Sequence, residues 1–205
     1  MLIGVDFDNT IVCYDQLFHT VALEQNLIPP SFPACKSEVR DFLRERNKED
    51  TWTEMQGYIY GKRMVEAKPF PGVVNFFREC HNRDIEVYIV SHRTQRPYLG
   101  KQYDLHQAAE EWLGVQGFYD PKGIGLTQNK VYFELTKEKK IERIKTLQCT
   151  HFIDDLPEFL GDPSFPEGVE RINFVPGDPR VTDERFQRLS SWQDIQESLF
   201  RLLKT

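Results

Sequence analysis

The sequence predicts an α/β fold, with a mostly parallel sheet flanked by helices. Short apolar runs rich in Val, Ile and Phe alternate along the chain with longer amphipathic segments, which is typical of α/β proteins. Several of these runs end in polar or acidic residues, as strands do at the reactive edge of a parallel sheet. The length of 205 residues accommodates one core domain plus an insertion.

Five strands and four core helices follow from this alternation. The predicted strands lie at residues 2–7, 85–90, 131–135, 150–153 and 171–175. The predicted helices lie at residues 73–82, 104–113, 137–148 and 192–203. Thr136 can cap the third of these helices. The final helix carries Ile195, Leu199 and Leu202 on one side, so we expect it to pack on the sheet.

Residues 13–68 have a different character from the rest of the chain. They contain no long strand-like run, and a proline-rich stretch at 28–33 interrupts them. Apolar residues at helical spacing predict short amphipathic helices within 39–46 and 51–67. We therefore predict a core domain of residues 1–12 and 69–205, with a small helical insertion at 13–68.

Two pairs of acidic residues indicate a reactive site. Asp6 and Asp8 follow the first apolar run, and Asp154 and Asp155 follow the fourth. Turn formation and helix capping would explain Asp8 alone, because Asp is favoured in both. Strand ends of a parallel sheet share one edge, however, so all four carboxylates should converge with Ser91, which ends another predicted strand. Converging carboxylates repel one another, and their oxygen ligands suit Mg²⁺, so we predict a magnesium ion.

Composition excludes several other classes. The net charge of −6 and the pI near 5.5 argue against binding to a nucleic-acid backbone. The four cysteines have no zinc-like or disulfide-framework spacing, so we interpret them as reduced thiols. No apolar run reaches membrane-spanning length, and the chain opens with a strand instead of a basic segment. We expect a cytoplasmic protein without a membrane partner.

The same residues resemble the motifs of the haloacid dehalogenase superfamily, whose most common members are Mg²⁺-dependent phosphatases with a Rossmann-like core. Residues 6–10 read Asp-Phe-Asp-Asn-Thr and match the first motif, Asp-x-Asp-x-Thr. Ser91 matches the second motif, and Asp154-Asp155 match the fourth. The third motif is a lysine near the start of the helix before the last acidic strand; Lys140 is best placed, with Lys137 and Lys139 as rivals. The match spans nearly the whole chain.

The resemblance implies a role for each residue. Asp6 would be the nucleophile that forms an aspartyl-phosphate, Asp8 the general acid and base, and Thr10 would orient their loop. Ser91 would bind a phosphoryl oxygen and Lys140 would balance charge. The Mg²⁺ ligands would be Asp6, Asp8 through its carbonyl, and Asp155, with Asp154 acting through water. Superfamily members that cleave carbon–halogen bonds generally lack the second acid, so Asp8 favours phosphate ester hydrolysis.

The resemblance also implies that the insertion is a small helical cap, which suits a small phosphorylated metabolite as substrate. His92 and Arg93 follow Ser91 and are weak candidates for substrate contact, because solvated surface charge explains most such residues. The sequence does not distinguish sugar phosphates, nucleotides and other esters as the substrate. It does not identify the cap residues that contact substrate, and it does not indicate the oligomeric state.

Three alternatives remain at this level. A phosphomutase or phosphotransferase uses the same aspartates and differs in where the phosphoryl group goes. A receiver-like phosphoacceptor also gathers acids, a hydroxyl and a lysine around Mg²⁺, but it is shorter and carries its acidic pair on the first strand. A non-catalytic binding protein would retain the fold, although the presence of Asp8 and Lys140 argues against lost activity.

Overall fold

The computed structural model of the chain describes residues 1–177 and 185–201. Leu202 and Leu203, the end predicted for the last helix, lie outside the described residues. The chain divides into two compact units. Unit 1 comprises Met1–Val12, Pro69–His92 and the described residues from Gly117 onward, and unit 2 comprises Cys13–Lys68 and Arg93–Gln116.

The strands and helices follow the predicted alternation. The strands are β1 (Leu2–Val5), β2 (Val12–Cys13), β3 (Lys68–Pro69), β4 (Glu86–His92), β5 (Val131–Glu134), β6 (His151–Asp154), β7 (Glu170–Phe174) and β8 (Gln187–Leu189). The α-helices are α1 (Asp15–Glu24), α2 (Lys36–Arg44), α3 (Glu49–Tyr60), α4 (Val73–Asn82), α5 (Leu105–Val115), α6 (Lys137–Thr146), α7 (Pro157–Leu160) and α8 (Trp192–Arg201). Two short 3₁₀ helices cover Met64–Glu66 and Gln128–Lys130.

Unit 1 is built on a six-stranded sheet in the order β5-β4-β1-β6-β7-β8. All of its strand pairs are parallel, which confirms the predicted fold class. The prediction missed β8, whose three residues Gln187, Arg188 and Leu189 include no β-branched or aromatic side chain. The chain runs from β1 to β4 and β5 on one side and then returns to β6 on the other. The strand order therefore switches direction between β1 and β6, where α/β sheets bind ligands.

β1 occupies the middle of the sheet because it is apolar on both faces. Val5 pairs with Ile89 of β4 on one side and with Ile153 of β6 on the other. Gly4 permits close packing against β6, since a Cβ atom at this position would lie 2.5 Å from the Phe152 ring. This register brings the residues that follow β1, β4 and β6 to the same edge.

Helices cover both faces of the sheet. Ile141 and Ile144 of α6 and Phe159 of α7 form a core with Phe152 on one face. Asn173 of β7 pairs with Asp154, which lies two residues after Phe152, so both are on the same face as Phe152. The next residue, Phe174, therefore points to the opposite face. On that opposite face, the Phe174 ring centre lies 5.7 Å from that of Trp192 in α8. Thus α6 and α7 pack on one face of the sheet, and α8 packs on the other.

Unit 2 is helical and contains a segment that the sequence analysis assigned to the core. Residues 93–116 pack with the insertion, and Trp112 of α5 donates a hydrogen bond to the carbonyl oxygen of Ala67 at 2.9 Å. Phe18 and Trp52 lie 4.8 Å apart between ring centres, so α1 and α3 share an aromatic core. The amphipathic pattern of α5 predicted a helix but did not reveal its packing partner. None of the described helices is long and apolar enough to cross a membrane.

Candidate active site

The loop after β1 is folded back tightly on itself. The amides of Ile11 and Val12 both donate to the carbonyl oxygen of Phe7, at 3.0 and 3.1 Å. Asn9 has a φ of 58°, a left-handed conformation that Asn tolerates better than most residues. The carbonyl oxygen of Thr10 accepts a hydrogen bond from the Trp192 indole at 3.1 Å. The loop that carries both aspartates is therefore fixed by its own backbone and by α8.

Asp6 is buried at the centre of the site. Its amide donates to the carbonyl oxygen of Ile153 at 2.9 Å, which continues the β1–β6 ladder by one residue. Its Oδ1 atom accepts hydrogen bonds from Ser91 Oγ at 2.9 Å and from Lys140 Nζ at 2.6 Å. Asp6, Ser91 and Lys140 are all less than one-tenth exposed. The two hydrogen bonds are therefore shielded from water, and they hold the carboxylate in one orientation.

Lys140 is the lysine of the predicted trio that contacts Asp6. Thr136 caps α6 by accepting a hydrogen bond from the Lys139 amide at 3.2 Å. This start places Lys140 on the inner face of the helix, while Lys139 points to solvent and pairs with Glu142. Lys137 pairs with Asp162 at the helix start.

The two acids after β6 have different surroundings. Asp154 is fully buried; its Oδ2 accepts from Lys140 Nζ at 2.6 Å and its Oδ1 accepts from the Leu156 amide at 2.9 Å. Asp155 is half-buried, and its Oδ1 accepts from Thr10 Oγ1 at 3.4 Å. Carboxylate oxygens of Asp6, Asp154 and Asp155 lie within 4.8 Å of one another. The predicted convergence of these three acids is therefore present.

The protonation of the site follows from burial and from its close charges. Burial raises the pKa of Asp6 to about 7; repulsion by Asp154 and Asp8 adds to the rise, while Lys140 opposes it. Burial lowers the pKa of Lys140, but attraction by Asp154 and Asp6 outweighs it, so the pKa ends above the ordinary lysine value. Lys140 therefore stays charged at neutral pH.

A cavity of about 170 Å³ opens onto these groups. Its wall contains Asp6, Asp8, Asn9, Ser91, His92, Lys137, Lys140, Asp155, Leu156, Glu158 and Phe159. A larger cavity, of about 600 Å³, lies near the amino end of β6, and its wall includes Cys149 and Thr150. The candidate site is therefore identified by the charged groups that converge in its cavity and not by the volume of that cavity.

Solved structures share this architecture. A HAD family hydrolase from Deinococcus radiodurans R1, solved with bound phosphate and sodium, is 14% identical with a TM-score of 0.59; the match covers 98% of this chain and 95% of that one. A HAD hydrolase of family IA, variant 3, from Entamoeba histolytica is 11% identical with a TM-score of 0.59, and the match covers 100% of this chain and 99% of that one. This chain has a HAD-like fold. The predicted resemblance to the haloacid dehalogenase superfamily is confirmed for the fold.

Sequence comparison adds one curated relative of the HAD-like chain. A Bacillus cereus protein named "Putative nucleotidase" is 24% identical over 166 residues, which cover 78% of this chain and 79% of that protein. No family model matches the chain.

The remaining predicted residues occupy different parts of the HAD-like structure. Asp8 is half-buried on the cavity wall, outside the group of three close carboxylates. Exposed His92 lines the same cavity. Arg93 belongs to unit 2, where it is buried and donates to the carbonyl oxygens of Leu105 at 3.0 Å and Tyr60 at 3.1 Å. These contacts give Arg93 a structural role within unit 2.

Asn173 of β7 is a site residue that the sequence reasoning missed. Its Nδ2 atom donates to the carbonyl oxygens of both Asp154 and Asp155 at 3.1 Å, and its side chain is fully buried. It therefore fixes the backbone that carries the two acids. The available signal was an asparagine between two apolar residues, Ile-Asn-Phe, because a buried amide needs partners.

Proposed function

We propose that the protein is a Mg²⁺-dependent phosphatase that hydrolyses a small-molecule phosphate monoester through an aspartyl-phosphate on Asp6. One observation carries the proposal. A buried carboxylate is held by a hydroxyl and an ammonium group, and its cavity also contains Asp8 and Asp155 at the switch point of a parallel sheet. The HAD-like fold and its acidic cluster support hydrolase function.

The donor set fits a magnesium ion. Three carboxylates with oxygens within 4.8 Å of one another are hard ligands, and the site carries more negative than positive charge. Asp6 and Asp155 would hold the ion, with the Asp8 carbonyl as a third protein ligand. Asp154, already bonded to Lys140 and to the Leu156 amide, would act through water. When bound, the ion would neutralise charge on the phosphoryl oxygens and on Asp6.

The side chains divide the work of the first half-reaction. A carboxylate oxygen of Asp6 attacks phosphorus, and the bond between phosphorus and the ester oxygen breaks. Asp8 donates its proton to the leaving oxygen, so an alcohol departs. Ser91 and Lys140 bind oxygens of the transferred group while charge on them changes.

The second half-reaction regenerates the enzyme. Asp8, now a carboxylate, takes a proton from water, and the water oxygen attacks phosphorus. The bond between phosphorus and Asp6 breaks, which releases inorganic phosphate and restores the Asp6 carboxylate. A mutase would instead deliver the phosphoryl group to a second substrate hydroxyl, and a receiver-like protein would retain it.

Nucleotides are the first substrates to test. The B. cereus relative carries the name of a nucleotidase, and the D. radiodurans hydrolase was solved with phosphate bound. The name of the first protein and the phosphate bound to the second are consistent with a phosphate ester as the substrate of this chain. Sugar phosphates complete the test set, because a cavity of about 170 Å³ beside Asp6 accommodates a phosphoryl group from either class.

The test is inorganic phosphate release from nucleotides, sugar phosphates and an aryl phosphate, with Mg²⁺ or with chelator. We expect release that requires the metal and falls by at least about 10³-fold in Asp6→Asn, because the nucleophile is lost. Asp84→Asn is the matched control, since Asp84 is exposed and its φ of 53° suits Asn. Release that survives Asp6→Asn or chelation would contradict the mechanism. Phosphate transfer to a second substrate hydroxyl would indicate a mutase.

A further inference from the structure

Unit 2 contains a small cavity of its own, which the proposed chemistry does not use. It has a volume of about 90 Å³ and lies between α3 and the loop that precedes α5. Thr53, Gln56, Tyr60, Thr94 and Tyr98 contribute to its wall. None of the side chains that line it is charged, so it suits an uncharged part of a ligand.

The loop that forms one wall is held firmly in place. Gly57 of α3 allows Pro97 to approach closely, since a Cβ atom on Gly57 would lie 2.6 Å from the Pro97 Cβ. The side-chain Nε2 atom of Gln102 donates to the carbonyl oxygens of Pro97 at 3.4 Å and Gly100 at 3.2 Å. The backbone amide of Leu105 closes the loop by donating to the carbonyl oxygen of Gln95 at 2.9 Å. A fixed loop can present a preformed binding surface.

Tyr98 and Tyr60 supply aromatic surface to this cavity. Tyr98 is 80% exposed, which is unusual for so large a side chain at the tip of an ordered loop. Tyr60 is half-buried and fixed, because its ring centre lies 4.9 Å from that of Tyr14 and 5.8 Å from that of Phe18. The exposed ring of Tyr98 beside the cavity favours stacking on a flat ligand.

Three polar side chains supply hydrogen-bonding capacity. Thr53, Gln56 and Thr94 are half-buried, and in the described part of the chain none of their side chains has a hydrogen-bond partner. Two hydroxyls and one amide offer both donors and acceptors. These groups are therefore available to a ligand that has donors and acceptors on its edge.

We propose that this cavity binds a planar heteroaromatic ring of the nucleobase class. Tyr98 stacks on the ring, while Gln56 and the two threonines bond its edge. Unpaired bases are recognised in this way in other proteins, by stacking on aromatic side chains and by edge hydrogen bonds from side chains such as glutamine. The volume fits one ring system.

The test is calorimetric titration of the full-length protein with adenosine, guanosine, cytidine, uridine and thymidine, with ribose as the ligand control. We expect at least one nucleoside to bind and ribose not to bind. Tyr98→Ala should weaken binding about 10-fold by loss of stacking. Gln56→Leu should weaken it by a similar factor and change the order of preference among bases.

Leu99→Ala is the matched control, because Leu99 is the exposed neighbour of Tyr98 in the same loop and does not line the cavity. It should bind nucleosides like the wild type. Failure of all nucleosides to bind, or equal loss in Tyr98→Ala and Leu99→Ala, would overturn the proposal. Nucleosides carry no phosphate, so phosphate release without nucleoside binding would refute this inference alone, and binding without release would refute the proposed function alone.

Discussion

Each unit of the molecule buries charge, but in a different arrangement. In unit 1, Lys140 lies between Asp6 and Asp154, with Nζ to oxygen distances of 2.6 Å, and Asp6 and Lys140 border a cavity. In unit 2, the Arg93 guanidinium is bonded to backbone carbonyls and lies 5.1 Å from the centre of the Tyr60 ring. Both cations are less than one-twentieth exposed.

The difference shows that burial of a charge does not by itself identify a reactive group. The bonds of Arg93 to carbonyl oxygens connect α3, the loop after β4 and α5, so its charge stabilises unit 2. The carboxylates of unit 1 outnumber the lysine among them and border an open cavity. That imbalance is what a metal ion and a phosphoryl group can use.

Replacing the central cation tests this contrast most severely. Lys140→Ala leaves Asp6 and Asp154 buried without their cation, so we expect the free energy of unfolding to fall by about 3–5 kcal/mol. Lys139→Ala is the control, because Lys139 is exposed on the same helix and should change stability by less than about 0.5 kcal/mol. Urea denaturation at neutral pH measures both. Equal changes in the free energy of unfolding for the two substitutions would show that Lys140 does not stabilise the buried carboxylates.

Arg93→Met tests the other half of the contrast. Loss of charge-assisted hydrogen bonds to buried carbonyls should reduce the free energy of unfolding by about 2–3 kcal/mol. The KM of the folded fraction should stay within about twofold of the wild type, because the guanidinium holds unit 2 together. Urea denaturation and phosphate-release kinetics measure the two quantities. A raised KM at unchanged stability would instead support Arg93 as a substrate-binding residue.

Asn173→Ala sharpens the account of the acidic loop. The variant loses both hydrogen bonds to the Asp154 and Asp155 carbonyls, so we expect about 1–3 kcal/mol lower stability and about 10–100-fold weaker Mg²⁺ binding by calorimetry. Asn75→Ala is the control, since Asn75 is exposed on α4. Unchanged Mg²⁺ affinity in Asn173→Ala would mean that the amide has no part in positioning the loop.

The smallest expected effect concerns the buried imidazole of His151. Burial lowers the pKa of His151, at the amino end of β6, below the ordinary value of 6.5. The unfolded chain therefore takes up this proton first, and stability falls as the pH drops through about 6.5. Between pH 7.5 and pH 5, the free energy of unfolding should fall more in the wild type than in His151→Asn. Parallel losses in urea denaturation would contradict this assignment.

Much of unit 1 could be predicted because its signals are local. The apolar runs that became β1, β4 and β6 are bounded by polar residues, and parallel strands place such residues at one edge. Asp6, Ser91 and Asp155 could therefore be named before any coordinates. Lys140 was named from the resemblance to the haloacid dehalogenase motifs, with Lys137 and Lys139 as rivals.

The rest depended on contacts between distant segments. The packing of α5 with the insertion joins residues such as Trp112 and Ala67, which are far apart in sequence. β8 lacked strand-forming side chains, and Asn173 acts through backbone groups of another strand. Such partners carry no local periodicity, so propensity and pattern could not identify them.

The central claim is that Asp6 is the nucleophile, and mass spectrometry of rapidly quenched reactions tests it directly. The wild type is mixed with Mg²⁺ and the best substrate of the panel, quenched in acid and digested. The account predicts a phosphoryl group on the wild-type peptide that contains Asp6 and none on the corresponding peptide of Asp6→Asn. An unmodified peptide during turnover, or a phosphoryl group on Ser91 instead, would contradict the account.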